Sequence, residues 1–230
     1  MAVDATWEIH DRKVIACRAC PRLTIWREQV AREKRRAYRD WEYWGKPVPG
    51  FGDRQARVLV VGLAPGAHGS NRTGRMFTGD ASGDFLYPAL HEAGFANQVQ
   101  AADRADGLKL SGMYISAVCR CAPPDNKPNR EEIRNCLPFL MEEMDLLANL
   151  QGIVALGSLA FNESLGLIKR KHNLPFSEKP VFVHGCFYQF GNDIPWLLAS
   201  YHPSRQNTQT GRLTKTMFAE VWRKAGELLN

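Results

Sequence analysis

Short runs of β-branched and aliphatic residues alternate along this chain with longer stretches in which apolar positions recur every three to four residues. The runs Arg57–Val61, Met113–Val118, Ile153–Leu156, Val181–His184 and Trp196–Ser200 are too short for helices and read as buried strands. The stretches Trp7–Ala16, Leu23–Asp40, Gly83–Gly94, Asn129–Asn149, Ser158–Arg170 and Arg212–Leu229 read as helices, with Ser158 placed as an N-terminal cap. Pro47–Gly52 reads as a loop. Strands that alternate with helices predict an α/β fold: three αβα layers around a central, mainly parallel four-stranded sheet, with the N-terminal helices packed on it. No repeat or low-complexity tract interrupts the pattern, so a single domain over residues 1–230 is expected.

Composition changes this picture little. An apolar content of 44% is ordinary for a globular chain and suffices for one sizeable core. The N-terminus carries no signal-type apolar run, and no segment reaches the ~18 apolar residues of a membrane span, so a soluble, cytoplasmic protein without a membrane partner is expected. Thirty Lys and Arg against 24 Asp and Glu leave a net charge of +6, a weak pointer to a polyanionic partner. Its distribution says more. Arg32–Arg36 and Arg39 are followed at once by Tyr38, Trp41, Tyr43 and Trp44, groups that neutralise phosphates and stack on bases. A solvated helix face followed by packing aromatics is an equal reading of the same residues.

Six cysteines are too few for a disulfide scaffold of this size, and in a reducing compartment Cys17-x-x-Cys20 points to metal or redox chemistry. The second half of such a site is loose. Cys136 pairs with either Cys121, at the mouth of the Ala122-Pro123-Pro124 turn, or Cys119, in or just past an apolar strand and readable as a buried thiol. Wide spacing suits a 4Fe-4S cluster, whose four iron corners are separated, better than zinc, although zinc or no metal stays open at this point. Cys186 reads as a core thiol.

Ligands of parallel sheets bind beyond the carboxyl ends of the strands. Two loops lie there: residues 62–80, GLAPGAHGSNRTGRMFTGD, and residues 201–212, YHPSRQNTQTGR. The first is neither a GxGxxG nor a P-loop, and no G-x-S-x-G elbow occurs, so dinucleotide, NTP and serine-hydrolase readings fail on their own motifs. His202, pinned in extended geometry before Pro203, suits a positioned donor.

Taken together, CRACPR at 17–22, the 62–80 loop, RCAPPDNKP at 120–128 and HPSRQNTQTGRLT at 202–214 resemble the uracil-DNA glycosylase superfamily, in its iron–sulfur branch, and within it the family 5 enzymes of bacteria and archaea. The resemblance spans most of the chain. It implies a structural 4Fe-4S cluster on Cys17, Cys20, Cys121 and Cys136. It implies a base pocket formed by Gly62, Ala64, Phe77, Ala117 and His202, with Phe77 stacking on the extruded base and His202 donating to uracil O2. Pro203–Thr210 resembles the loop that enters the DNA helix. The related family 4 carries Glu where this chain has Leu63, and an asparagine that reads the uracil edge where this chain has Ala117. Both departures agree with family 5, which is implied to accept damaged bases such as hypoxanthine and xanthine beside uracil, since a pocket without a polar selector discriminates less.

The activity so implied is monofunctional N-glycosidic hydrolysis at a flipped deaminated base in double-stranded DNA, by a monomer, leaving an abasic site. Asp80 is the first candidate for orienting the water, with Asn126 in support; each also reads as turn or cap chemistry. Arg72, Ser204, Arg205 and Gln206 are the expected DNA contacts. A cluster-bearing protein that binds damaged DNA without chemistry, and a zinc-bearing nucleic-acid module, are the competing classes.

Overall fold

The computed structural model describes residues 2–175 and 180–229. In chain order its helices and strands are α1 (Ala2–Ala16), α2 (Pro21–Glu33), β1 (Phe51–Gly52), β2 (Val58–Gly62), α3 (Ser70–Thr73), α4 (Gly83–Glu92), β3 (Met113–Ala117), α5 (Arg130–Leu146), β4 (Gly152–Leu156), α6 (Ser158–His172), β5 (Phe187–Tyr188), β6 (Trp196–Ser200), α7 (Arg205–Gln209) and α8 (Lys215–Glu227). Short 3₁₀ turns occupy Arg36–Tyr38 and Pro124–Asn126.

The sheet runs β1-β3-β2-β4-β6-β5. Its centre is the expected set of four parallel strands, β3, β2, β4 and β6, and all twenty of their residues are buried. Two-residue antiparallel strands, β1 and β5, widen it to six. Burial on both faces follows from side chains alternating across each strand. Val58, Val60, Met113, Ile115, Val154 and Leu198 meet Leu86, Tyr87 and Leu90 of α4 and Phe218, Val221 and Trp222 of α8. Leu59, Val61, Tyr114, Ile153, Ala155 and Leu197 meet Trp7 of α1, Leu137 and Leu140 of α5, and Phe161 and Ile168 of α6. These are the three αβα layers.

Several boundaries differ from the sequence pattern. Val181–His184 is not a strand; the pairing partner of β6 is Phe187–Tyr188 instead, because a tight turn at His184-Gly185 intervenes. The helix expected over Leu23–Asp40 ends at Glu33, and Lys34 takes φ 55°. Ser158 does not cap α6: the cap position is Gly157 at φ 101°, which makes no side-chain bond. The last helix starts at Lys215, where Thr214 Oγ1 accepts from the Met217 amide at 3.2 Å.

A buried ionic group lies between α1, β3 and α5. Arg120 pairs with Glu143, Ser116 Oγ donates to Glu143 Oε2 at 2.6 Å, and His10 lies 3.1 Å from Glu142 and 3.5 Å from Glu143. Arg120 is 1% exposed and Glu143 and His10 are fully buried, so each charge depends on its partners.

Candidate active site

The carboxyl ends of β2 and β3 finish in register, Gly62 opposite Ala117. Both residues are small, and together they form the floor of a cleft of about 710 Å³. A Cβ on Gly62 would lie 2.8 Å from Cζ of Phe77, so the aromatic ring rests directly on the bare strand end. Phe77 itself takes φ 51°, an unusual conformation for a bulky residue. The chain doubles back tightly enough there that a Cβ on Gly83 would meet the Phe77 carbonyl oxygen at 1.8 Å. A lock holds this fold-back. Arg75 Nε donates to Thr78 Oγ1 at 2.9 Å, and its Nη atoms make two 2.7 Å bonds to Asp106. Burial works against the Asp106 charge, yet the Arg75 bonds win and hold its pKa at about 2.

His202 leaves the end of β6 and faces Phe77, with ring centroids 5.8 Å apart and planes tilted by 30°. Its carbonyl accepts from the Ser204 amide at 2.8 Å and from Asn207 Nδ2 at 2.9 Å, which fixes the turn. Burial lowers its pKa to about 4, so the imidazole is neutral at neutral pH and carries one N–H to donate.

Asp80 lines the same cleft. Its Oδ1 accepts from the amides of Ser82 and Gly83 at 3.0 and 3.2 Å and so opens α4, which is the cap chemistry its position suggested. Its Oδ2 packs against the bare Cα faces of Gly66 and Gly69, where added Cβ atoms would lie 2.8 and 1.9 Å away. Burial is the main influence on Asp80 and raises its pKa above the usual carboxylate range. Asn126 stands on the rim, exposed, at φ 55° beside Asp125 at φ 53°; Asn and Asp tolerate this region best. Ala64, Ser204, Arg205 and Gln206 line the cleft as well. Ser204 Oγ caps α7 by accepting from the Asn207 amide at 3.3 Å, leaving Arg205 and Gln206 exposed at the mouth.

Arg72, expected to reach DNA, is instead part of the scaffold. It is 3% exposed, its guanidinium lies 4.0 Å from the ring centres of both Tyr38 and Trp41, and it donates to the His68 and Gly79 carbonyls at 2.8 Å. Arg35, Tyr38, His68 and Ser70 line the cleft without having been assigned to it from sequence. The basic-aromatic composition around Arg35 and Tyr38 was their only signal, and His68 had none beyond its place in the 62–80 loop.

A second, smaller cavity opens between α2, α5 and the segment after β3. Cys17, Cys20, Cys121 and Cys136 all line it, and Cys119 does not. Donors point at three of the four sulfurs: Arg27 Nη1 at 3.0 Å from Cys121 Sγ, the Arg120 amide at 3.2 Å from Cys136 Sγ, and Asn135 Nδ2 at 3.6 Å from Cys20 Sγ. Arg27 and Arg120 are both buried, and Nε of Arg27 and Nε and Nη1 of Arg120 have no hydrogen-bond partner. Cys119 lies behind the cavity, fully buried, its thiol hydrogen-bonded to the Cys136 sulfur, and that hydrogen bond together with burial keeps it protonated. Among the described residues no group of three or more His, Cys, Asp or Glu side chains is arranged to hold a single metal ion. Cys186, expected as a core thiol, is half-buried and packs on the α6 side of the core. The chain thus leaves the pocket floor at Ala117, passes the thiol cavity at Cys121 and returns to the pocket rim at Asn126.

The family model for the Uracil DNA glycosylase superfamily matches residues 49–226. A type-5 uracil-DNA glycosylase of Thermus thermophilus is 54% identical over 216 residues, covering 93% of this chain and 94% of that protein. Proteins of the same name are 50% identical in Mycobacterium bovis, covering 94% of this chain and 79% of theirs, and 43% identical in Pyrobaculum aerophilum, covering 93% and 89%.

Proposed function

Since the chain belongs to the uracil-DNA glycosylase superfamily, among its type-5 members, we propose that it removes uracil, and with it other deaminated bases such as hypoxanthine and xanthine, from double-stranded DNA. The observation that carries this reading is the convergence of Phe77, His202 and Asp80 over a floor of Gly62 and Ala117 at the strand ends. The flipped base stacks on Phe77 and presses its edge toward Gly62 and Ala117. Neither residue offers a polar side chain to be left unpaired by a non-uracil base, which supports a broad substrate range. Extrusion is easiest at a mispair such as U·G, where least pairing energy is lost.

Rupture of the C1′–N bond puts cationic charge on the sugar and negative charge on the base. Neutral His202 donates its N–H to the base oxygen as that charge develops, without first having to lose a proton. Asp80 Oδ1 is committed to the α4 amides, so Oδ2 orients the water and faces the sugar cation, with Asn126 assisting from the rim. The water oxygen adds to C1′, and its proton balances the departing base. Arg205, Ser204 and Gln206 contact the strand at the mouth, and the enzyme acts as a monomer.

The four cavity thiols fit a 4Fe-4S cluster. Four thiols lining one cavity suit four iron corners, and buried Arg27, whose guanidinium reaches Cys121 Sγ, is poised to offset the negative charge of a thiolate-bound cluster. With four cysteines the cluster has no open coordination site, and its role is structural.

The test is cleavage of labelled duplexes carrying one U·G or one hypoxanthine·T pair, with alkali to reveal abasic sites. Cleavage at both is expected. Cleavage at uracil alone would remove the broad-pocket part of the proposal, and no cleavage by brown, iron-loaded protein would favour lesion binding without chemistry.

A further inference from the structure

The wall of the cleft formed by the 62–70 loop carries a histidine that the mechanism above does not use. His68 Nδ1 lies 3.1 Å from the Tyr43 hydroxyl, and the two rings stand edge to face. That hydroxyl already accepts from the Arg35 amide at 3.4 Å. Donation to His68 Nδ1 is the arrangement that uses its proton. Nδ1 is then the acceptor, and the ring proton sits on Nε2, on a residue that lines the cleft. The support is firm: Tyr43 is 8% exposed, and the His68 carbonyl is tied to Arg72 Nε at 2.8 Å. Arg35 and Ser70 line the same wall. Burial, followed by the charges of Arg35 and Arg72, lowers the pKa of His68, so it acts there as a neutral donor beside a cation.

A fixed N–H, a hydroxyl and a guanidinium on one wall match an anion with several acceptor oxygens. If the base occupies the floor and the sugar faces Asp80, the next group outward along a nucleotide is its phosphate. We propose that His68 and Arg35 hold a backbone phosphate of the extruded nucleotide, with Tyr43 as the positioning residue that sets the histidine tautomer. This subsite rests on the glycosylase reading.

The experiment measures the affinity of full-length protein for two duplexes between about 50 and about 200 mM salt. One carries 2′-fluoro-2′-deoxyuridine opposite G, which resists cleavage, and the other is undamaged. His68→Ala is expected to weaken binding to the uracil duplex on the order of tenfold, the loss of one hydrogen bond to a charged group, and to leave the undamaged duplex unaffected. The salt slope stays unchanged, because a neutral donor releases no counterion. Arg35→Ala flattens that slope by about 0.9. His68→Gln, which keeps a donor, recovers most of the affinity, and Tyr43→Phe loses several-fold. Unchanged affinity in His68→Ala, or an equal loss on both duplexes, overturns the subsite. Wild-type protein that binds through His68 but cleaves no U·G duplex overturns the glycosylase reading and leaves the subsite standing.

Discussion

The role proposed for His202 depends on what burial does to a single residue. With its pKa held at about 4, it contributes stability that is complete above the unfolded value of about 6.5 and is lost as pH falls from there toward 4. The same shift keeps the donor neutral through the working range. Single-turnover cleavage at saturating DNA should therefore show no inflection from this residue between about pH 5 and 8, and His202→Ala should slow it by about 10²–10³-fold. A titration near pH 6.5 that vanishes in His202→Gln would refute the assignment. Asp80 has the opposite balance, since burial disfavours its charged form. Asp80→Asn keeps the oxygen that caps α4 and removes the costly charge. It should raise the thermal midpoint at neutral pH while slowing cleavage by roughly 10²-fold or more; a variant both less stable and fully active would assign Asp80 to the cap alone. Both residues line the cleft, and both were candidates from sequence because they sit in two loops at strand ends. Arg72 was misread because residue type announces a cation, whereas the rings of Tyr38 and Trp41 that enclose it come from a segment some thirty residues upstream. His68 was passed over for a related reason: its partner Tyr43 lies 25 residues before it.

At the level of elements, the four long runs of aliphatic residues were read correctly because a strand buried on both faces leaves a composition little else produces. Failures came where tertiary contacts override local pattern. Nothing between Glu33 and Asp40 is a glycine or proline, yet α2 stops at Glu33, and Tyr38 and Trp41 are turned onto Arg72. The edge strand moved from Val181–His184 to Phe187–Tyr188 because two residues of pairing do not impose a period on a sequence. The buried Arg120–Glu143 pair was invisible for the same reason, being assembled from β3, α5 and α1. It carries a sharp prediction. Glu143→Leu strands Arg120 in the core, while His10 keeps Glu142, and should cost about 3–5 kcal/mol by urea unfolding. Adding Arg120→Met should restore a large part of that loss; a double variant no better than the single would mean that Glu143 acts chiefly through Ser116 and His10.

For the whole molecule, the three-layer architecture and the position of the cleft followed from alternation of strands and helices, but the choice between Cys119 and Cys121 did not. Only the assembled fold separates a thiol behind the cavity from one lining it. Cys119→Ser should therefore retain brown colour and absorbance near about 400 nm, while Cys121→Ser should lose both together with iron content. Loss of colour in Cys119→Ser alone would exchange the two roles. The excursion from Ala117 through Cys121 to Asn126 then acquires a meaning in time. Ala117 ends a strand paired on both sides within the sheet, whereas the rim returns to that floor by way of the thiol cavity. If the thiols hold the proposed cluster, its assembly follows translation, and protein that has not received iron is expected to bind a damaged duplex more weakly than iron-loaded protein.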